Sequence, residues 1–338
     1  MDHLLSAFRR WFSGANPSQS PTSAPPGAIE ASNAPLAPAA AYTIPVLLVH
    51  YFPLCDDRID VHATGDVSAP LETIREHTHT TTRRVIEALQ QGSIYHGYKD
   101  PTAQPSLRYQ IVDSIEFLEA LPVWPKPGHR VPMTDYHAIM RRIDAHTWVT
   151  QRGVKEIWIW GYHGGVVDLW ESNMAGPWGD ISNSDRDPAD LPVFDRTYTV
   201  YHYNYQRGPS EAVEDHMHQI EAVLRHRDPT LFWDKFVGKP GEGRCGWAHY
   251  PPNGERDYDW RNAKFVWSDI EDWRPDGGGQ KVYINCDRWK RDSLQWFIYW
   301  MQNLPGANNG LHYHGRPLTN WWALIGDFDA VMAQGGGL

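Results

Sequence analysis

Cysteine is scarce: three residues, Cys55, Cys245 and Cys286, in a chain of 338. Their spacing forms neither a CxxC redox pair nor a zinc-knuckle pattern. Two readings stay open: a Cys245–Cys286 disulfide with Cys55 free, or three buried thiols. No apolar run reaches the roughly 20 residues of a membrane-spanning helix. There is no basic run, and the formal net charge is −10, which argues against nucleic acid as the main partner. The chain also lacks a G-x-S-x-G elbow, a Walker A loop and an H-E-x-x-H pair. Serine hydrolases of the elbow class are thereby set aside. The string 241–246, GEGRCG, fits G-x-G-x-x-G by letter, yet no strand precedes it and no helix follows, so it is no dinucleotide fingerprint. No Asn-x-Ser/Thr glycosylation acceptor is open, because Asn16 is followed by proline.

What is abundant is the large polar-edged aromatic: 17 Trp and 16 Tyr against 10 Phe. Such rings suit sugar faces, flat ligands and interfaces, and equally a bulky core whose polar edges are satisfied. The first 12 residues place Leu4, Leu5, Phe8, Trp11 and Phe12 at helical spacing beside Arg9 and Arg10, an amphipathic segment able to dock on a membrane surface or a partner. It is not a convincing signal peptide, because its charges follow the apolar residues. Residues 13–42, rich in Pro, Ala and Ser, read as a disordered linker. The body is expected from 43 to 332 as one domain, with a flexible tail at 333–338.

Along that body, apolar runs and helical periods alternate. Residues 44–53, 107–115, 156–160, 196–204 and 281–285 read as strands, and 71–91, 134–150, 210–227 and 290–303 as helices. Thr134 is the expected cap of the second helix. This order predicts an α/β fold, a mainly parallel sheet flanked by helices. A long irregular Trp/Gly/Pro-rich insertion is expected at 228–280 in the C-terminal half.

Ligands of open parallel sheets bind beyond the carboxyl ends of the strands. There the strand 156–160 runs into Gly161, Tyr162, His163, Gly164 and Gly165, then Asp168, Trp170, Glu171, Trp178 and Asp180. The His-Gly-Gly string resembles an esterase oxyanion loop, but its serine partner is missing. On the helix 210–227, Glu214, His218 and Glu221 are spaced i, i+4, i+7 and share one face beside the buried stripe Val213, Met217, Ile220 and Leu224. Asp215 and His216 are expected further round, exposed. The stretch 248–260 adds His249, Asn253, Asp257 and Asp259, and His312 and His314 form a further, weaker pair.

Several stretches, YHGYKDP, WESNMAGP, HYPPNGERDYDW and NNGLHYHGRPLTNWW among them, resemble a group of bacterial proteins with no assigned activity, many expected to be exported. That resemblance implies a single domain over the body and lends no catalytic residue. It leans localisation toward the cell envelope or exterior.

The residues point to a hydrolase. Glu171, Glu214, His218 and Glu221 would do acid–base work, on carbohydrate if two carboxylates act as a pair. In a metal-assisted variant His218, Glu221, His249 and Asp257 would hold zinc or calcium. Tyr162, His163, Trp170, Trp178, Trp247 and Trp260 would line the groove for a small-molecule or glycan substrate. The alternative is a surface or secreted binding protein without chemistry.

Overall fold

The computed structural model describes residues 41–182 and 189–338. The amphipathic segment 1–12 and the linker as far as residue 40 lie outside them. From residue 41 onward the chain belongs to one compact unit.

The core is a five-stranded sheet. Strand β1 (Tyr42–Tyr51) is followed by helix α1 (Leu71–Gly92) and β2 (Leu107–Phe117). Then come α2 (Tyr136–Arg142), β3 (Glu156–Gly161), β4 (Ser172–Ala175), β5 (Tyr198–Asn204) and α3 (Pro209–Arg227). The strands lie in the order β2-β1-β3-β5-β4. All neighbours are parallel except β4, which runs against β5. The protein is therefore a mixed α/β fold with a mostly parallel sheet flanked by helices.

β1 and β3 are nearly continuous Val, Ile, Leu and Trp because both faces of the sheet are covered. On one side α1 and α3 pack together: Trp160 Nε1 donates to Thr82 Oγ1 of α1 at 2.9 Å, and Trp158 meets His216 of α3 edge to face. On the other side Tyr136 of α2 bonds His202 of β5, 3.2 Å from OH to Nδ1. The chain leaves β1 toward β2 and leaves β3 toward β5, so the switch point falls between β1 and β3.

Downstream of α3, residues 228–280 contain a short π-helical segment (Thr230–Val237) and strand β6 (Val266–Ser268), which pairs with β7 (Val282–Ile284) as a separate ribbon. Helix α4 (Ser293–Met301) buries Trp296, Phe297 and Trp300 against α1 and α3. Two short helices, α5 (Trp322–Gly326) and α6 (Phe328–Ala333), close the chain. Residues 333–338 fold back onto the body, where Arg227 Nε donates to Gly336 O at 2.8 Å.

Several local expectations are corrected. The helix expected over 134–150 is broken at Asp144, whose φ of +52° ends a helical run, and its cap is Asp135, which accepts from Ala138 N. Strand β4 was hidden in a stretch that reads as polar loop; it exists because its backbone pairs with β5 and all four residues are buried. The cysteines form no disulfide: Cys55 is exposed, and Cys245 and Cys286 are buried thiols.

Candidate functional site

Helix α3 starts at a glycine–proline junction, where Gly208 N donates to the side chain of Glu211. The buried arc of α3 is wide, taking in Ala212, Val213, His216, Met217, Gln219, Ile220, Val223 and Leu224. His216 is thus buried, against the exposure that its place in the sequence suggests. It stacks on Tyr201 (centroids 3.7 Å apart), bonds Tyr203 OH at 2.6 Å, and burial keeps it neutral by pushing its pKa well down. Asp215 is half-buried rather than exposed, and burial together with the charges of Glu171 and Glu214 raises its carboxyl pKa well above the ordinary value.

On the flank of α3, Glu214 and His218 face His249, which arrives on the loop 246–260. Glu214 Oε1 lies 2.8 Å from His249 Nε2 and 3.7 Å from His218 Nε2, and the two Nε2 atoms are 3.1 Å apart. A triangle with those edges has a circumscribed radius of about 1.9 Å. A cation at the usual ~2.0–2.2 Å from nitrogen and oxygen donors would be within reach of all three. Among the described residues this trio is the one group of three such side chains close enough to hold a metal ion.

The far side of each imidazole is also engaged. His218 Nδ1 lies 3.2 Å from Glu221 Oε2, and His249 Nδ1 lies 3.0 Å from Asp257 Oδ1. Carboxylates behind ligating histidines fix the ring orientation and leave Nε2 as the donor atom. Glu221 also ties the loop to the helix, because its Oε1 accepts from Ala248 N at 2.7 Å. Burial alone would lower the pKa of His218; the bonded carboxylates of Glu214 and Glu221, with the charge of Glu171 beyond, raise it to about 11. Burial would likewise raise Glu214, but its contacts with the two histidines overcome this and lower it. The cluster is thus electrostatically set to hold positive charge.

The loop is held by tryptophan edges. Trp260 Nε1 and Trp296 Nε1 both donate to Ala248 O, at 2.9 and 3.0 Å, and Trp300 Nε1 donates to Gly246 O at 2.8 Å. Asn253 and Asp259, which read as possible ligands, brace the same loop instead: Asn253 Nδ2 donates to Asn262 O and Lys264 O, and Asp259 accepts from Glu255 N.

Glu171 precedes β4 at the level of His202, whose N–H donates to Glu171 O. Its carboxylate is near enough to influence His218, Asp215 and Tyr258. Tyr258, half exposed, packs its ring over His249 at 4.2 Å between centroids. Burial and the charges of Glu214, Asp257 and Glu171 raise its pKa, while Arg207 opposes the shift. Sequence reasoning missed Tyr258, Asp215 and Arg207; the only cue was their nearness to His218 and His249 along the chain.

Of the residues expected to line a groove, Trp247 and Trp260 lie on the loop 246–260 itself. Tyr162 is buried with its hydroxyl accepting from Leu121 N, and Trp170 is buried beneath Lys126 with its indole bonded to Asp190. His163 bonds Val167 O within its own turn, and Asp168 pairs with His129 at 2.9 Å. Gly164 is there for packing: a Cβ would lie 1.9 Å from Thr64 O, and its φ is +51°. Trp178 is exposed beyond Ala175, the end of β4 remote from Glu171. Trp247 is wedged between Trp233 and Tyr250, and Trp260 supports Tyr258 edge to face. His312 and His314 are exposed on a small hairpin, and the φ of +48° at His314 removes the alternation that would align them.

No protein-family model matches this chain, and no curated protein is similar to it. The reading of the site rests on its geometry.

Proposed function

We propose that the protein is a metal-dependent hydrolase whose divalent ion is held by Glu214, His218 and His249. The observation that carries this reading is the pair of short contacts at His249 Nε2: Glu214 Oε1 at 2.8 Å and His218 Nε2 at 3.1 Å. From His249 Nε2 those two directions are about 78° apart. A single N–H cannot point along both, because hydrogen bonds weaken steeply away from linearity. A central cation satisfies all three donors together. Two imidazoles and one carboxylate suit zinc or iron(II) and leave coordination positions open. Calcium, which takes six to eight oxygens, does not suit this donor set.

Bound to such a trio, the ion would supply an acidified water and polarise a substrate carbonyl. Glu171, whose charge acts on His218, Asp215 and Tyr258, is assigned as the base that takes the water proton and passes it to the leaving group. Tyr258, kept protonated by its raised pKa, is assigned as the donor to the oxyanion. The carboxylates of Glu171, Glu214, Glu221 and Asp257 would face the ion, and Arg207 is the one guanidinium that acts on this cluster among the described residues. That balance disfavours phosphoesters and favours a neutral amide or ester. The contacts of Glu214 with both imidazoles weigh against a glycosidase role for it, as does the engagement of Tyr162 and Trp170 by Leu121 and Asp190. The irregular part of 228–280 is read as the insertion that delivers His249 to the helix.

The test is elemental analysis of the purified protein followed by assay on neutral ester, amide and phosphoester substrates. About one equivalent of zinc or iron per chain is expected, lost in His249→Ala, with hydrolysis of the neutral substrates alone. Glu171→Gln should retain the metal and lose roughly 10²–10⁴-fold in kcat. Protein without a transition metal, in which His249→Ala changes nothing, would remove the proposal.

A second reading, a binding protein, draws on the β6–β7 ribbon. There Tyr283 stacks on Phe265 (4.7 Å) and meets Trp267 at a tilt (5.1 Å), and all three are exposed. Unimpaired ligand capture by a metal-stripped protein would favour it.

A further inference from the structure

A second cavity lies apart from the metal-type cluster, between α1 and the β1–β2 edge. It arises from one extra residue. Val46 pairs with Ile111 and Leu47 with Asp113, so Val112 is bulged out of β2. A bulge shifts the in–out alternation by one. Ile115 and Phe117 are thereby turned to the α2 side, where Phe117 packs on Tyr51 at 4.9 Å. Ser114 and Glu116 are turned to the α1 side and line a cavity of about 460 Å³. That volume falls within the range of small-molecule sites, roughly 300–1,000 Å³. The carboxyl end of β1 forms its floor.

The floor and walls are mainly apolar: Leu48, Phe52, Ile86 and Ile111. Among them sits one buried imidazole, His50, with Nδ1 3.4 Å from Ser114 Oγ. Burial lowers its pKa to about 4, so it is neutral and able to hydrogen-bond. At the mouth, Glu116 is taken up by Arg75, whose Nε donates at 2.8 Å while a second nitrogen meets the other oxygen. His79 and Arg83 of α1 complete the mouth. Arg75 also binds Glu72, so its charge is shared by two carboxylates, and Arg83 is the cation of the lining that no carboxylate takes up among the described residues.

We propose that this cavity is a binding site for a small amphipathic carboxylic acid, its hydrocarbon against Leu48, Phe52, Ile86 and Ile111 and its carboxylate at Arg83 and His79. The experiment is calorimetric titration of the full-length protein with octanoate and, separately, octylamine. Octanoate is expected to bind with a Kd below about 1 mM and octylamine at least tenfold more weakly. Ile86→Trp, which fills the cavity, should abolish octanoate binding. Arg83→Glu, a surface change that leaves the fold intact by circular dichroism, should weaken it tenfold or more. Absence of octanoate binding, equal binding of octylamine, or indifference to Arg83→Glu would each overturn the assignment. Metal content is expected to be the same in both variants, so the outcome is independent of the reading of Glu214, His218 and His249.

Discussion

Helix α3 and the loop 246–260 supply donors to the same cluster, yet they are built in opposite ways. The helix carries its own hydrogen bonds and is seated by an apolar stripe. Glu214 and His218 would stay in register even without the rest of the site. The loop has almost no regular structure. Its position depends on indole N–H groups reaching Gly246 O and Ala248 O from Trp300, Trp296 and Trp260, and on Glu221 capturing Ala248 N. The difference separates two kinds of precision. One is set by period and survives point changes. The other is set by a few long-range bonds and is sensitive to each.

The comparison can be broken most severely at the donors. His218→Ala and His249→Ala are each expected to abolish stoichiometric metal, read by mass spectrometry of the purified protein, while far-UV dichroism shows α3 intact. Next come the carboxylates behind the rings. Asp257→Asn and Glu221→Gln should weaken metal affinity about 10–100-fold. Glu221→Gln should be the worse of the two, because Asp257 is exposed while Glu221 also holds Ala248 N. Competition with a chelator of known affinity would rank them, and a Glu221→Gln variant no weaker than Asp257→Asn would show that the helix–loop bond contributes nothing.

Smaller effects sharpen the contrast. Trp260→Phe removes one of two donors to Ala248 O and should cost about 1 kcal/mol in urea unfolding. It should also lower metal affinity, which an equally destabilising change on α3 away from the site should not. The least effect concerns Glu156, buried on β3 with Trp158 Nε1 donating to it at 2.7 Å. Burial raises its pKa from 4.5 to about 8, against the opposing bond and the charge of Lys155. A carboxyl raised on folding contributes stability that is full below its unfolded pKa and is lost as pH rises through about 8. Glu156→Gln should therefore gain on the parent protein between pH 5 and pH 9, as measured by urea midpoints.

The same division explains what could be read from the chain. β1, β3, β5 and both long helices follow the apolar period, so the class of fold was legible, as was the shared face of Glu214, His218 and Glu221. β4 was not, because Glu171-Ser172-Asn173 is polar and its burial comes from pairing with β5. The role of Glu221 was not legible either: spacing puts it beside His218 but cannot say which nitrogen it meets. Tyr162 and Trp170 carry the same letters in a core as in a groove, and only their bonds to Leu121 and Asp190 place them in the core.

Glu221 has a consequence for timing. One oxygen orients an imidazole and the other anchors the strip of chain that brings the second imidazole, so detaching that strip and loosening the first ring are a single event. An ion seated there would leave no faster than the strip lifts. Chelator stripping should then plateau at a rate independent of chelator concentration, and that plateau would measure the opening step itself.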